Sequence, residues 1–230
     1  MKMPAAVPAI EPIMLQAEPQ PLQIDLQRMA VVVVDMQNAF ASEGGLLNLL
    51  GTDVSGTPKI VEVINHITEA ARARGVRVVC VVHHHSPDLR ETGGPDAGYY
   101  YKVHLPGYAE HRDKCFIEGT WGAEIVKGLH FKADDIVVVK PRFSGFYGTD
   151  LDTILKTFNI KYLAFAGIAT NICVEATIRD ATNLNYFPIL ISDATAPAGP
   201  PFLRDATILN VKLCLGWVTT SIDLVKALEK

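Results

Sequence analysis

The chain has 230 residues, 49% of them hydrophobic and 20% charged, a balance that suits a folded domain and excludes disordered, collagen-like and disulfide-stapled miniprotein classes. Twenty-one basic residues against 25 acidic ones leave a net charge of -4 with no basic block, so nucleic acid is not an expected partner. The four cysteines, Cys80, Cys115, Cys173 and Cys214, form no CxxC pair and read as reduced thiols.

In chain order, residues 1–29 come first, rich in proline and glutamine, with Pro4, Pro8 and Pro12 interrupting any apolar run before it reaches signal-peptide length. They read as an arm draped on the surface or on a neighbouring subunit, ahead of a single domain over 30–230. No later run has membrane-spanning length, so no membrane partner is expected and the cytoplasm is the default location. From there short β-branched runs recur: VVVV at 31–34, VVCVV at 78–82, IVVV at 136–139, YLAFA at 162–166 and PILI at 188–191. They do not alternate polar with apolar, which suits strands buried on both faces of a parallel sheet.

Helical periods separate these runs. Ile60, Ile64, Ile67 and Ala71 follow Thr57-Pro58, a cap and first-turn pair, and Gly75 closes that helix. Leu151, Ile154, Leu155 and Phe158 mark a second, opened by Thr149; Val174, Ile178 and Ala181 a third, opened by Thr170; Leu224, Val225 and Leu228 a last one. The alternation predicts an open, doubly wound α/β fold with a mainly parallel sheet and helices on both faces. Residues 83–121, crowded with His, Tyr, Pro and Gly, are too long for an ordinary connection and read as a functional loop region.

In such sheets the ligand crevice lies outside the carboxyl ends of the strands. Asp35 directly follows VVVV, Lys140 directly follows IVVV, and Cys173 lies just past YLAFA on the opening turn of the next helix. Singly, Asp35 could cap a turn or hold Mg²⁺, Lys140 could be a solvated lysine, and Cys173 a small buried hydrophobe. Together they describe a nucleophile: a thiol third after an N-cap Thr170 feels the positive helix end, a lysine stabilises its thiolate, and a carboxylate moves its proton. A nucleotide-binding module is disfavoured, because no GxGxxG follows the first strand.

The segments VVVVDMQNAF at 31–40, KPRFSGFYGTDLD at 140–152 and GIATNICVEATIRDA at 167–181 resemble the isochorismatase-like cysteine hydrolases, a superfamily that includes nicotinamidases, N-carbamoylsarcosine amidases and ureidoacrylate amidohydrolases. Gly44-Gly45, Gly93-Gly94, GTW at 119–121 and Gly216-Trp217 are most similar to the ureidoacrylate amidohydrolases. The resemblance covers nearly everything after the arm. It implies a six-stranded sheet, a Cys173 nucleophile, an Asp35 general acid/base and an orienting Lys140. It also implies a cis bond at Ile168-Ala169, an oxyanion site made by the backbone N–H groups of Ala169 and Cys173, no cofactor, and a homo-oligomer. The implied substrate is a small ureide.

Flanking the motifs, Phe40, Tyr147 and Trp121 are expected to line the substrate site, and Gln37 to hydrogen-bond a ureido group, although an aromatic here can equally be core and Gln37 or Ser144 can equally tie down a turn. Phe143 and Phe146 stand even between pocket and core. Where ureidoacrylate amidohydrolases usually show an Asn and a Trp, this chain has His83-His84-His85. His83 and His85 are therefore expected to touch substrate, with biuret or triuret as rivals to ureidoacrylate. A metal held by His83, His85 and Asp35, as in a metal-dependent or nicotinamidase-like amidase, is the less favoured alternative, since the loop has no clear carboxylate partner other than Asp88; no metal is expected.

Overall fold

The computed structural model describes residues 12–103 and 110–230. A short hairpin, β1 (Ile13–Leu15) and β2 (Leu22–Ile24), leads into β3 (Met29–Val34) and two single-turn helices, α1 (Asn38–Ala41) and α2 (Leu46–Leu49). Then come α3 (Thr57–Ala73), β4 (Arg77–His83), α4 (Gly98–Val103), β5 (Ile136–Lys140), α5 (Leu151–Thr157) and β6 (Tyr162–Ile168). A π-turn over Thr170–Val174 opens α6 (Glu175–Asn183), followed by β7 (Phe187–Ala196), α7 (Phe202–Asn210), β8 (Trp217–Thr219) and α8 (Ser221–Leu228). Among the described residues no helix is long and apolar enough to cross a membrane.

Six strands form one parallel sheet in the order β5-β4-β3-β6-β7-β8. All five predicted runs are strands in it. The sixth, β8, carries only Trp217, Val218 and Thr219, too few residues to signal a strand. The chain winds outward from β3 to β5 on one side, then returns to start β6 on the other, so the order reverses between β3 and β6 and leaves a crevice at their carboxyl ends.

β3 shows why its sequence does not alternate. Met29, Val31 and Val33 pack into one apolar layer with α3 and α8, while Ala30, Val32 and Val34 face a second layer with α5 and α6. All six are buried. The helix α3 begins at Thr57 with Pro58 in its first turn and is closed by Gly75 in left-handed geometry at φ 70°.

Two expectations change. Residues 12–28 are not a surface arm: Leu15 and Ile24 are wholly buried in the layer that holds α3 and α8, and Glu18 exchanges two backbone hydrogen bonds with Val218 of the edge strand β8. The apolar residues at the ends of so short a hairpin gave no periodic signal. The predicted arm residues 1–11 lie outside the described residues. Second, Thr170 is the first residue of the π-turn rather than its cap, and its hydroxyl is buried without a partner.

Candidate active site

Each predicted catalytic side chain sits where a strand of the crevice ends. Asp35 leaves β3 in left-handed geometry (φ 51°), its N–H held by the Val81 carbonyl at 2.8 Å. This costly conformation for a non-glycine residue turns the chain sharply at the sheet edge. Lys140 ends β5, directly opposite His83 at the end of β4. Cys173 follows β6 on the π-turn, where the N–H groups of Ile172 and Val174 both donate to the Ala169 carbonyl at 3.1 Å. The Ile168-Ala169 peptide before it is cis, as the motif implies.

These three side chains converge. The Lys140 ammonium is 2.8 Å from the Asp35 carboxylate and donates to the Cys173 sulfur at 3.4 Å. It also donates to the Arg142 carbonyl at 2.9 Å, which fixes its direction. Asp35 and Lys140 have no solvent exposure at all. An unpaired ion would be untenable at such depth, so the ammonium and carboxylate hold one another in place.

The electrostatics correct one expectation. The expected lowering of the thiol by helix end and lysine is outweighed by burial. Burial pushes the Cys173 thiol well above its ordinary range, the Asp35 charge pushes in the same direction, and the lysine only partly offsets them. Burial also raises Asp35, against the opposing pull of Lys140. Burial thus pushes both Cys173 and Asp35 toward their protonated forms, and the Lys140 ammonium opposes it at each.

His83 joins this group. One of its ring nitrogens lies within 4.8 Å of both an Asp35 oxygen and the Cys173 sulfur, a set of ligand types that can bind a metal. The Lys140 ammonium already brings a positive charge to that point, and a second cation would be repelled by it. His85 is not in that set, so the alternative centre of His83, His85 and Asp35 is not assembled as predicted. Burial keeps His83 far below its ordinary pKa and lowers His85 to about 4, so both are neutral imidazoles.

The other predicted residues divide. Phe40 is buried and stacks on Phe116 at 5.1 Å and on His83 at 6.2 Å, forming an apolar wall next to the site. Gln37 is a clamp: its amide accepts from the His83 N–H at 2.8 Å and donates to the His83 and Ala123 carbonyls at 3.0 and 2.9 Å. Both of its donors are thereby used, and the turn-tying reading wins over substrate contact. Ser144 likewise donates to Asp180 at 2.5 Å. Trp121 is 38% exposed with the Lys114 ammonium over its ring, Tyr147 is 64% exposed, and no contact joins either to the catalytic group. Phe146 stacks on Tyr186 in the layer with α5 and α6, whereas Phe143 lies 6.4 Å from His83.

Sequence reasoning missed three contributors. Tyr99 of α4 hydrogen-bonds His83 at 3.0 Å and His85 at 3.3 Å; Phe116 covers the His83 ring at 4.2 Å. Thr177 donates to the Cys173 carbonyl at 2.6 Å and accepts from the Gly145 N–H at 2.9 Å, so it ties the nucleophile's turn to the segment after Lys140. Tyr99 and Phe116 lie in the aperiodic 83–121 region, where only the tyrosine run at 99–101 stood out.

The family model described as Isochorismatase domain matches residues 29–223, beginning where β3 begins. The ureidoacrylate amidohydrolase RutB of Azorhizobium caulinodans is 43% identical over 218 residues, covering 93% of this chain and 96% of that protein. RutB of Klebsiella pneumoniae is 42% identical, covering 90% and 89%. Among solved structures, a cysteine hydrolase from Pseudomonas syringae pv. phaseolicola superposes with a TM-score of 0.75 at 30% identity, over 90% of this chain and 94% of that one. The nicotinamidase PncA of Bacillus subtilis superposes with a TM-score of 0.67 at 25% identity, over 84% and 99%. Sheet order, strand-end site and a match over most of the chain agree, and the protein belongs to the isochorismatase family.

Proposed function

We propose that this protein is a cysteine-dependent amidohydrolase that cleaves a C–N bond of a small ureide, with ureidoacrylate as the first substrate to test. The observation that carries the reading is the buried contact of Lys140 with both Asp35 and Cys173, in a chain 43% identical to a ureidoacrylate amidohydrolase.

In this reading Asp35 accepts the thiol proton as the Cys173 sulfur attacks the ureido carbonyl. The charge on the cluster is then unchanged overall, because ammonium with carboxylate becomes ammonium with thiolate, and Lys140 stays beside both. The tetrahedral oxygen is received by the N–H groups of Ala169 and Cys173; one such donor is worth roughly 3 kcal/mol in other hydrolases. Asp35 passes its proton to the leaving nitrogen. Water, deprotonated by the same carboxylate, then splits the thioester. Phe40 and Phe116 supply an apolar wall, and His83 a polar contact. Biuret and triuret are carried as alternatives because His83 and His85 stand where ureidoacrylate amidohydrolases usually show an Asn and a Trp.

The same reading takes 30–230 as the catalytic domain of a cytoplasmic homo-oligomer, in keeping with cysteines that form no disulfide among the described residues. The test is ammonia release from ureidoacrylate, biuret, triuret, nicotinamide and N-carbamoyl amino acids, with iodoacetamide and chelator arms and sedimentation alongside. Ureide turnover that iodoacetamide abolishes and chelator spares is expected. Turnover of nicotinamide alone, or loss on chelation, overturns the proposal.

A further inference from the structure

Helix α7 is apolar on two sides. Its inner side packs Ile208 and Val211 into the layer with α5 and α6, Thr207 and Asn210 donate to the Glu175 carboxylate, and Arg204 donates to the Ser192 carbonyl at 2.6 Å. The helix is therefore fixed in the fold. Its outer side is not covered: Phe202, Leu209 and Leu213 are 64%, 55% and 72% exposed, and Ala206 between them is exposed as well. Leu213 stands on a π-turn over Val211–Leu215 that continues the helix.

Single exposed leucines are ordinary on a protein surface, whereas a helix apolar all round is normally buried. These four residues recur at intervals of four, three and four, the spacing of a coiled-coil seam that a second helix covers by interdigitation. The seam complements itself when run antiparallel. About a two-fold axis between Thr207 and Ile208, Phe202 meets Leu213 of the partner subunit and Ala206 meets Leu209 of the partner subunit, so small faces large at the centre. Run parallel, Ala206 would meet its own copy and leave a gap between two bulky layers. Charge favours the same arrangement. Asp205, its side chain 72% exposed, borders the seam on the same side as Lys212 seven residues later, and the two-fold axis brings each beside the other's copy. Lys212 also pairs with Glu18 of its own chain, and an ammonium with three hydrogens can serve both carboxylates.

We propose that the outer side of α7 is the surface by which this chain pairs with a second copy of itself, the two helices running antiparallel through the seam of Phe202, Ala206, Leu209 and Leu213. This rests on the homo-oligomer part of the reading above and names the surface that makes it.

The experiment is sedimentation equilibrium of the full chain over a range of concentrations, native and Leu209→Glu, beside oxidative cross-linking in a Cys214→Ser background. The native protein is expected to sediment as a dimer or a multiple of one. Leu209→Glu puts a carboxylate into the covered seam and is expected to weaken self-association by roughly tenfold or more, with the far-ultraviolet circular dichroism unchanged because the side chain is exposed in the single chain. A mixture of Ala206→Cys and Leu209→Cys proteins is expected to form the mixed disulfide dimer faster than either protein forms its own. This arm needs no destabilised interface. Faster self-linking of Ala206→Cys overturns the antiparallel arrangement. An oligomer mass that Leu209→Glu leaves unchanged overturns the proposal while the homo-oligomer reading stands, and a native chain that is monomeric throughout overturns both.

Discussion

In the proposed reaction the thiol proton of Cys173 passes to Asp35 while Lys140 stays in contact with both. Cys173→Ala is expected to abolish turnover with the fold intact, because it removes the bond-forming atom from a helix-compatible position; loss of ammonia release with an unchanged circular dichroism melt checks it. Exposed Cys214 is expected to label with iodoacetamide whether or not substrate is present, so labelling that substrate suppresses should map to Cys173. Asp35→Asn removes the acceptor and is expected to cut kcat by about 10²–10⁴. The pH profile carries a sign. Asp35 must be ionised to accept the proton and its pKa is raised, so kcat/KM should fall with acid at a pH above the ordinary carboxylate range. The ammonium lowers Asp35, so in Lys140→Met the acid limb should move to still higher pH, while residual activity drops. A limb that stays fixed would remove Lys140 from the tuning of Asp35.

The elements matter through where they stop. The β6 strand must pass close to β3 before the nucleophile's turn, and Gly167 permits it: φ is 115°, and a Cβ there would lie 2.0 Å from the Val34 carbonyl oxygen. Pairing also shifts here, from Phe165 with Leu190 to Gly167 with Thr195, so the extra residues lie in β7. Gly167→Ala is expected to cost about 3 kcal/mol or more, since both the backbone geometry and the strand contact oppose a side chain. Urea denaturation measures it; a midpoint within error of the native protein would sink the argument. Gln37 works similarly at the end of β4. By bonding both backbone groups of His83, its amide extends the β3–β4 pairing one step past the last ladder pair.

At the scale of the molecule, the hairpin closes the apolar layer over α3 and α8. Leu15→Ala is expected to destabilise the whole fold by about 2–5 kcal/mol, the usual range for a buried leucine, and thermal melting reads it. A surface arm would show no such effect. Stability should also depend on the buried histidines. Their folded pKa values lie below the unfolded value of 6.5, to about 4 for His85, so below 6.5 the unfolded chain takes up protons that the folded one refuses. Stability is fully present above that pH and falls as pH drops toward 4. Denaturant midpoints of the native protein and His85→Gln at pH 7 and pH 5 test this: the substitution should flatten the loss.

Five of the six sheet strands, four of the helices between them and the strand-end positions of Asp35, Lys140 and Cys173 were determined by the sequence alone, because burial on both faces leaves unbroken β-branched runs and such sheets expose their strand ends. Local rules also located the glycine that ends α3. What the tertiary structure decided are properties with no local signature. Leu15 and Ile24 are core only because β8 and α8 lie beside them. Gln37 is a clamp because the end of β4 comes within reach of its amide, and the exposure of Trp121 and Tyr147 has no mark in the local sequence. The Cys173 thiol is raised rather than lowered because desolvation depends on everything packed around it, while helix position counts only one turn. Tyr99 reaches His83 across sixteen residues of aperiodic chain, and such a contact is fixed by packing rather than by spacing.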